Sequence, residues 1–264
     1  MRGLVTAIRT LTIVPVPGRE AGRACSALPW FPLVGALLGG LLWSLPALWA
    51  ALFRVVAWPG GMAVGLLVLW TVLTGGLHLD GLADWADGFF GSRDREKTLA
   101  IMKDSRVGAF GVIALVLVLL AKWEALGRLV SGGPESMLAQ WFVAVLASSR
   151  AVQVDLAASL PYARPEGGTA GRFTEGAGLG HRLAAMAAAL VLSVAACGPL
   201  GAAAPVAAWV LGRAFAWYCR RRVGGITGDL LGAATEIVEV VLLVAVAAAA
   251  GPLVTYSGWH FLLG

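Results

Sequence analysis

Charge is what this sequence has least of. Asp, Glu, Lys and Arg make up 13% of its 264 residues, apolar residues make up 59%, and the mean hydropathy is +0.81. A soluble globular domain or a disordered chain needs far more charge, so both are excluded. Cysteine is nearly absent as well. Cys25, Cys197 and Cys219 are too few and too scattered to frame disulfides or build a thiolate metal site. The three-His or Cys/His ligand set that zinc favours is missing. No P-loop, dinucleotide fingerprint or Gly-x-Ser-x-Gly elbow occurs. No internal repeat of the kind that builds secondary transporters stands out.

What is present is apolar sequence in long runs. Spans are expected near Leu33–Leu52, Gly61–Leu79, Ala109–Leu126, Met137–Leu156, Leu183–Leu200, Pro205–Tyr218 and Ile237–Val254. A crossing needs about 17 to 25 residues, so the sixth run is marginal and the count of seven could become six or eight. Gly and Ala recur in these runs, permitting close helix contacts. The chain therefore reads as one membrane-embedded domain over residues 1–264, an all-α polytopic bundle of about seven transmembrane helices. Leu4 to Val16 contains Arg9 and ends in Pro15 and Pro17. That argues for an interfacial helix within an N-terminal segment of residues 1–30 rather than a cleaved signal.

Basic residues orient the bundle. With a cytoplasmic N-terminus, one face receives Arg2, Arg9, Arg19 and Arg23, then Arg93, Arg95, Lys97, Lys103 and Arg106. The same face receives Arg164, Arg172 and Arg182, then Arg213, Arg220, Arg221 and Arg222, which brings it to 16 of the 20 basic residues. Arg54, Lys122 and Arg128 fall opposite, with Arg150 inside a span. This asymmetry follows the positive-inside rule and predicts a multi-pass membrane protein with a cytoplasmic N-terminus. Nearly every acid shares the cytoplasmic face, leaving Glu124 and Glu135 outside. The loops over 80–107 and 159–182 are thus cytoplasmic, and the active site is expected among them. No nucleic-acid partner is expected, and homo-oligomer formation stays open.

The densest chemical signal is Gly75-Gly-Leu-His-Leu-Asp-Gly-Leu-Ala-Asp-Trp-Ala-Asp-Gly88. Offsets of four and seven put Asp80, Asp84 and Asp87 within roughly 60° on one helical face. Like charges crowded at a membrane edge repel one another and lose hydration, and a divalent cation is the simplest compensation. A solvated helix end is the plainer alternative, opposed by the apolar neighbours Leu82, Trp85 and Phe89. His78 is a base, a ligand or a hydrogen-bonded structural residue. The following segment, 91–108, predicts a short amphipathic helix. After it, Asp104 is placed to join the metal cluster, while Lys103 and Arg106 either hold phosphate or anchor the chain at the membrane. Arg150, in an otherwise apolar run, calls for a cavity with an anionic substrate or a partner; Asp155 is the nearest acid, at a poor offset. Arg164 opens a glycine-rich loop and is either a ligand contact or part of a connector. A second acidic face carries Asp229 and Glu236, seven apart and within about 20°, with Glu239 beyond. Oxygen donors from both faces would favour Mg²⁺ or Mn²⁺.

Four stretches then carry a resemblance. His78-Leu-Asp-Gly-Leu-Ala-Asp-Trp-Ala-Asp-Gly88, Met102-Lys-Asp-Ser-Arg-Val-Gly108, Pro161-Tyr-Ala-Arg164 and Gly225-Ile-Thr-Gly-Asp-Leu-Leu-Gly-Ala233 with Glu236 resemble the signatures of the cobalamin synthase family. Members are also called adenosylcobinamide-GDP ribazoletransferases. The resemblance runs from the N-terminal segment to the last helix; Trp85 departs from the small or polar residue expected there. It implies a Mg²⁺-dependent membrane transferase that joins adenosylcobinamide-GDP to α-ribazole or its 5′-phosphate. The products would be adenosylcobalamin or its 5′-phosphate and GMP, in the last steps of coenzyme B12 synthesis. On that reading Asp80, Asp84, Asp87, Asp104, Asp229 and Glu236 are the metal ligands. Asp84, Asp87 and His78 are the catalytic groups, and Lys103, Arg106, Arg150 and Arg164 hold phosphates. Asp84-x-x-Asp87-Gly88 also looks like half of the CDP-alcohol phosphotransferase motif, whose Ala-Arg and further aspartates are absent. A phospholipid enzyme of that class and a secondary transporter are the alternatives.

Overall fold

A computed structural model of the chain describes residues 1–53, 58–131, 138–164, 166–251 and 258–259. Arg54 and Glu135, assigned above to the opposite face, lie outside these residues, as does the end of the last expected span. Among the described residues the chain is helical, with no named strand. The helices are α1 (Arg2–Leu11), α2 (Phe31–Phe53), α3 (Pro59–Leu73), α4 (Leu77–Gly91), α5 (Arg95–Ile101) and α6 (Ala109–Val130). There follow α7 (Trp141–Ser159), α8 (Gly171–Thr174), α9 (Leu179–Cys197), α10 (Ala203–Val223) and α11 (Gly228–Ala248). The polypeptide is an integral membrane helical bundle.

Six helices are long and apolar enough to cross a membrane, or seven spans if the bent pair α3 and α4 counts as one. The expected second span, Gly61–Leu79, is broken. Gly75 and Gly76 take φ of 62° and 68°, a left-handed turn that residues with a Cβ resist, and the axis swings by 88°. The expected sixth span is no longer marginal: α10 extends it at both ends, to Ala203 and Val223. Residues at the start of the second acidic patch belong to α11 itself, whose N-terminus is capped by the Thr227 hydroxyl accepting from the Leu230 N–H.

The bundle has an apolar outer surface and an apolar core in which a few polar and charged side chains are embedded. Along α6, Ile113, Val116, Leu117 and Leu120 repeat at helical spacing and are all exposed. In water such a stripe would associate; facing lipid it is the expected outer surface. The central helix is α7, which packs against α2, α9, α10 and α11. It buries Ser148, Ser149, Arg150, Gln153 and Asp155. Asp155 is structural: it accepts from Arg182 Nε at 2.8 Å and Arg213 at 2.7 Å, tying α7 to α9 and α10.

Candidate active site

The segments read as cytoplasmic do meet at one end of the bundle. Arg95 of α5 donates to the carbonyls of Val223 and Ala163. Arg222 closes the C-terminal end of α4 by donating to the carbonyls of Phe89, Ser92 and Arg93. Tyr162 and Ile226 form a parallel bridge, with Ala163 N–H to Ile226 O and Ile226 N–H to Pro161 O, both 2.9 Å. Arginines donating to backbone carbonyls, together with this bridge, thus fasten the chain around the motif stretches.

Two glycines bring the acidic faces together. A Cβ on Gly81 would lie 2.6 Å from the Asp229 carbonyl oxygen, and one on Gly232 would lie 3.2 Å from the Cα of His78. Helices α4 and α11 therefore cross backbone to backbone, a contact that only small residues allow. Asp80 is exposed, while Asp84 and Asp229 are half-buried. Asp84 lies within electrostatic reach of Asp229, Asp80 and Asp87, with Arg164 as its nearby cation. Arg164 donates to Asp229 Oδ2 at 2.7 Å and, more weakly, to the Met102 carbonyl at 3.4 Å. A mouth with several carboxylates and one arginine carries excess negative charge.

Other residues singled out from the sequence have different surroundings. Asp87 is buried, and its two oxygens accept from the N–H groups of Gly108 (2.6 Å) and Gly111 (2.9 Å). It caps the first turn of α6 from a neighbouring helix, where the helix dipole favours a negative charge. Asp104 is bound by Arg106 at 2.6 Å, and those hydrogen bonds hold its carboxyl down at about 2, so it stays ionised at any working pH. Lys103 is exposed, with Glu166 at 3.8 Å. His78 is buried, its Nε2 2.9 Å from Gln153 Nε2. Glu236 is engaged by Lys122 Nζ at 2.6 Å.

Arg150 has a partner that the sequence did not reveal. It is buried in the bundle and paired with Glu239 of α11, which also accepts from Ser149, so the acid beside it is Glu239 and not Asp155. Lys122, read from the sequence as an opposite-face residue, is buried between Glu236 and Glu239. Sequence reasoning missed its role. The available signal was a lone lysine well inside an apolar run.

An integral membrane bundle whose one end gathers carboxylates, arginines and a glycine-rich loop is a membrane protein with a charged site at one end. Comparison with known proteins makes this specific. The family model described as Cobalamin-5-phosphate synthase matches residues 3–247. Curated relatives named adenosylcobinamide-GDP ribazoletransferase are similar over most of their length. The one from Chlorobaculum parvum is 47% identical over 91% of this chain and 92% of its own. That from Chlorobium phaeobacteroides is 47% identical over 92% and 96%, and that from Syntrophobacter fumaroxidans 44% identical over 92% and 96%. No solved structure matches. The chain belongs to the cobalamin-5-phosphate synthase family and is a transferase of cobalamin biosynthesis.

Proposed function

We propose that this enzyme joins adenosylcobinamide-GDP to α-ribazole or its 5′-phosphate at the cytoplasmic end of the bundle, in the inner membrane. The ribose hydroxyl attacks the cobinamide-side phosphorus, the bond to the bridging oxygen breaks, and GMP leaves. The products are adenosylcobalamin or its 5′-phosphate and GMP. The observation that carries this reading is the close crossing of α4 and α11, which faces Asp80 and Asp84 with Asp229 under family-matching sequence.

Mg²⁺ is the proposed cofactor. The donor set fits it: the acids at the mouth offer only oxygen, and their crowding leaves charge for a cation to neutralise. Among the described residues, no group of three His, Cys, Asp or Glu side chains converges on one point. Mg²⁺ suits such a site, since it commonly takes one or two carboxylates and completes its shell with water and substrate phosphate. Asp84, with Asp80 or Asp229, would hold it. When bound, it would neutralise charge on the pyrophosphate and the departing phosphate.

The remaining work falls to the chain's own residues. Asp84 is the carboxylate placed to accept the hydroxyl proton, being half-buried at the mouth where the acidic faces meet. Arg164 is held at the mouth by Asp229 and presents its guanidinium to anionic oxygens. Lys103 and Arg106, both exposed, supply further cations from the loop before α6. Asp87 and Glu236, also candidates from the sequence, are left out because their oxygens already serve helix capping or a buried ion pair, and Arg150 because it is paired with Glu239 inside the bundle.

The test is turnover of purified protein in lipid with adenosylcobinamide-GDP and α-ribazole 5′-phosphate, with and without Mg²⁺. GMP and corrinoid product are expected in equal amounts and only with the cation. Folded protein that is inactive with these substrates but active with a CDP-linked lipid donor would overturn the reading.

A further inference from the structure

Behind the acidic mouth, the bundle interior holds four full charges. Lys122 of α6 donates to Glu236 at 2.6 Å and to Glu239 at 2.8 Å, and Arg150 of α7 pairs with Glu239 from the other side. Their side chains are 0 to 5% exposed. Ser149 adds a hydrogen bond to Glu239 at 3.1 Å, and the Lys122 ammonium lies 4.1 Å over the Trp70 ring. Two cations face two anions, so the cluster is neutral as a whole. It links α6, α7 and α11, and the adjacent His78–Gln153 contact links α4 to α7.

Sequence spacing alone gave Glu236 a different part, because seven residues return it to the face of Asp229. Along the axis, however, seven residues separate the two by roughly 10 Å. Two carboxylates on one small cation must each bring an oxygen to about 2 Å from it. The Glu236 carboxylate is also already taken: removing it would leave the Lys122 ammonium without half of its partners in a medium that penalises unpaired charge.

We propose that Glu236 serves the reaction as the counter-charge of Lys122, not as a ligand of the cation or substrate. The Lys122–Glu236–Glu239–Arg150 cluster is the positioning device that holds α11, and Asp229 with it, against α6 and α7, with α4 packed on α6 and α11 beside it. Charge count is then what matters. Glu236→Gln leaves the cluster with one excess cation, Lys122→Met leaves one excess anion, and the double variant restores balance. This inference rests on the transferase reading above.

The experiment compares native protein, Lys122→Met, Glu236→Gln, the double variant and Lys122→Arg in lipid. It measures kcat, the Mg²⁺ concentration for half-maximal turnover and the thermal midpoint of the inserted protein. Each neutralising single variant is expected to lose kcat by about 100-fold or more, with a lowered midpoint. The double variant should recover to within about tenfold of native, with native Mg²⁺ dependence, and Lys122→Arg should keep most activity. A double variant as inactive as Glu236→Gln, or one needing much more Mg²⁺ whatever residue 122 is, would assign Glu236 to the cation and overturn the proposal. Failure of the double variant to insert would overturn it too, since balance would not then be what the pair supplies. An inactive native protein would count against the transferase reading. The midpoints would still test the pairing, lowered in the singles and restored in the double.

Discussion

At the scale of single residues, two aspartates that look alike in the sequence do different work. Asp84 is half-buried among other acids with an arginine near, whereas Asp87 is spent on two backbone N–H groups. Asp84→Asn keeps size and hydrogen bonding but removes the charge and the proton acceptor. Turnover should fall by at least about 1,000-fold, as expected when an acid–base group and a cation ligand are lost together. The variant should still insert and elute as native protein on size exclusion in detergent. Near-native GMP release would remove Asp84 from the chemistry. Asp87→Ala should act the other way round. It leaves the Gly108 and Gly111 N–H groups without their acceptor, a loss of about 2 kcal/mol. A clear drop in thermal midpoint is expected, with the inserted fraction still turning over. An unchanged midpoint would show that the cap contributes little.

At the scale of helices, the crossing of α4 and α11 is set by the absence of side chains. Gly81→Ala would press a methyl into the backbone of α11 at Asp229, and a backbone atom cannot rotate out of the way. The helices must separate by several tenths of an ångström or more. Because Asp80 and Asp84 flank Gly81, that shift falls on the site itself. We expect kcat to drop about 100-fold with the bundle intact, since small misplacements of reacting groups are costly. Distances between spin labels on α6 and α9 in the same variant should match the native ones; a general change in them would mean that the glycine serves the whole fold. Helices as elements were legible in the sequence because length and apolarity suffice to mark a crossing. The break at residues 74–76 was not, since two glycines inside an apolar run look like any close-packing site until φ is known. Nor was the partner of Arg150, because Glu239 stands 89 residues away and a single sequence carries no record of which helices touch. The acidic face of α4 was legible from spacing alone, whereas the engagement of Glu236 was hidden because Lys122 belongs to another helix.

At the scale of the whole molecule, orientation decides whether the site draws its nucleotide substrate from the cytoplasm. The motif loops share one end of the bundle, and that end also carries most of the arginines, in keeping with the positive-inside rule. The chain's own composition makes the test simple. Cys25, Cys197 and Cys219 are all buried, so background labelling by a membrane-impermeant maleimide should be low. Lys97 is exposed on α5 beside the site, and Ser131 is exposed just after the far end of α6. With single substitutions Lys97→Cys and Ser131→Cys, the two thiols lie on opposite faces if α6 crosses the bilayer. In intact cells with a permeabilised outer membrane, Ser131→Cys should label and Lys97→Cys should not. In inverted inner-membrane vesicles the pattern should reverse. The reciprocal result would place the acids outside the cytoplasm, away from GTP-derived substrates, and would force a different account of how the donor reaches Asp84. Labelling of both from one side would mean that α6 does not cross.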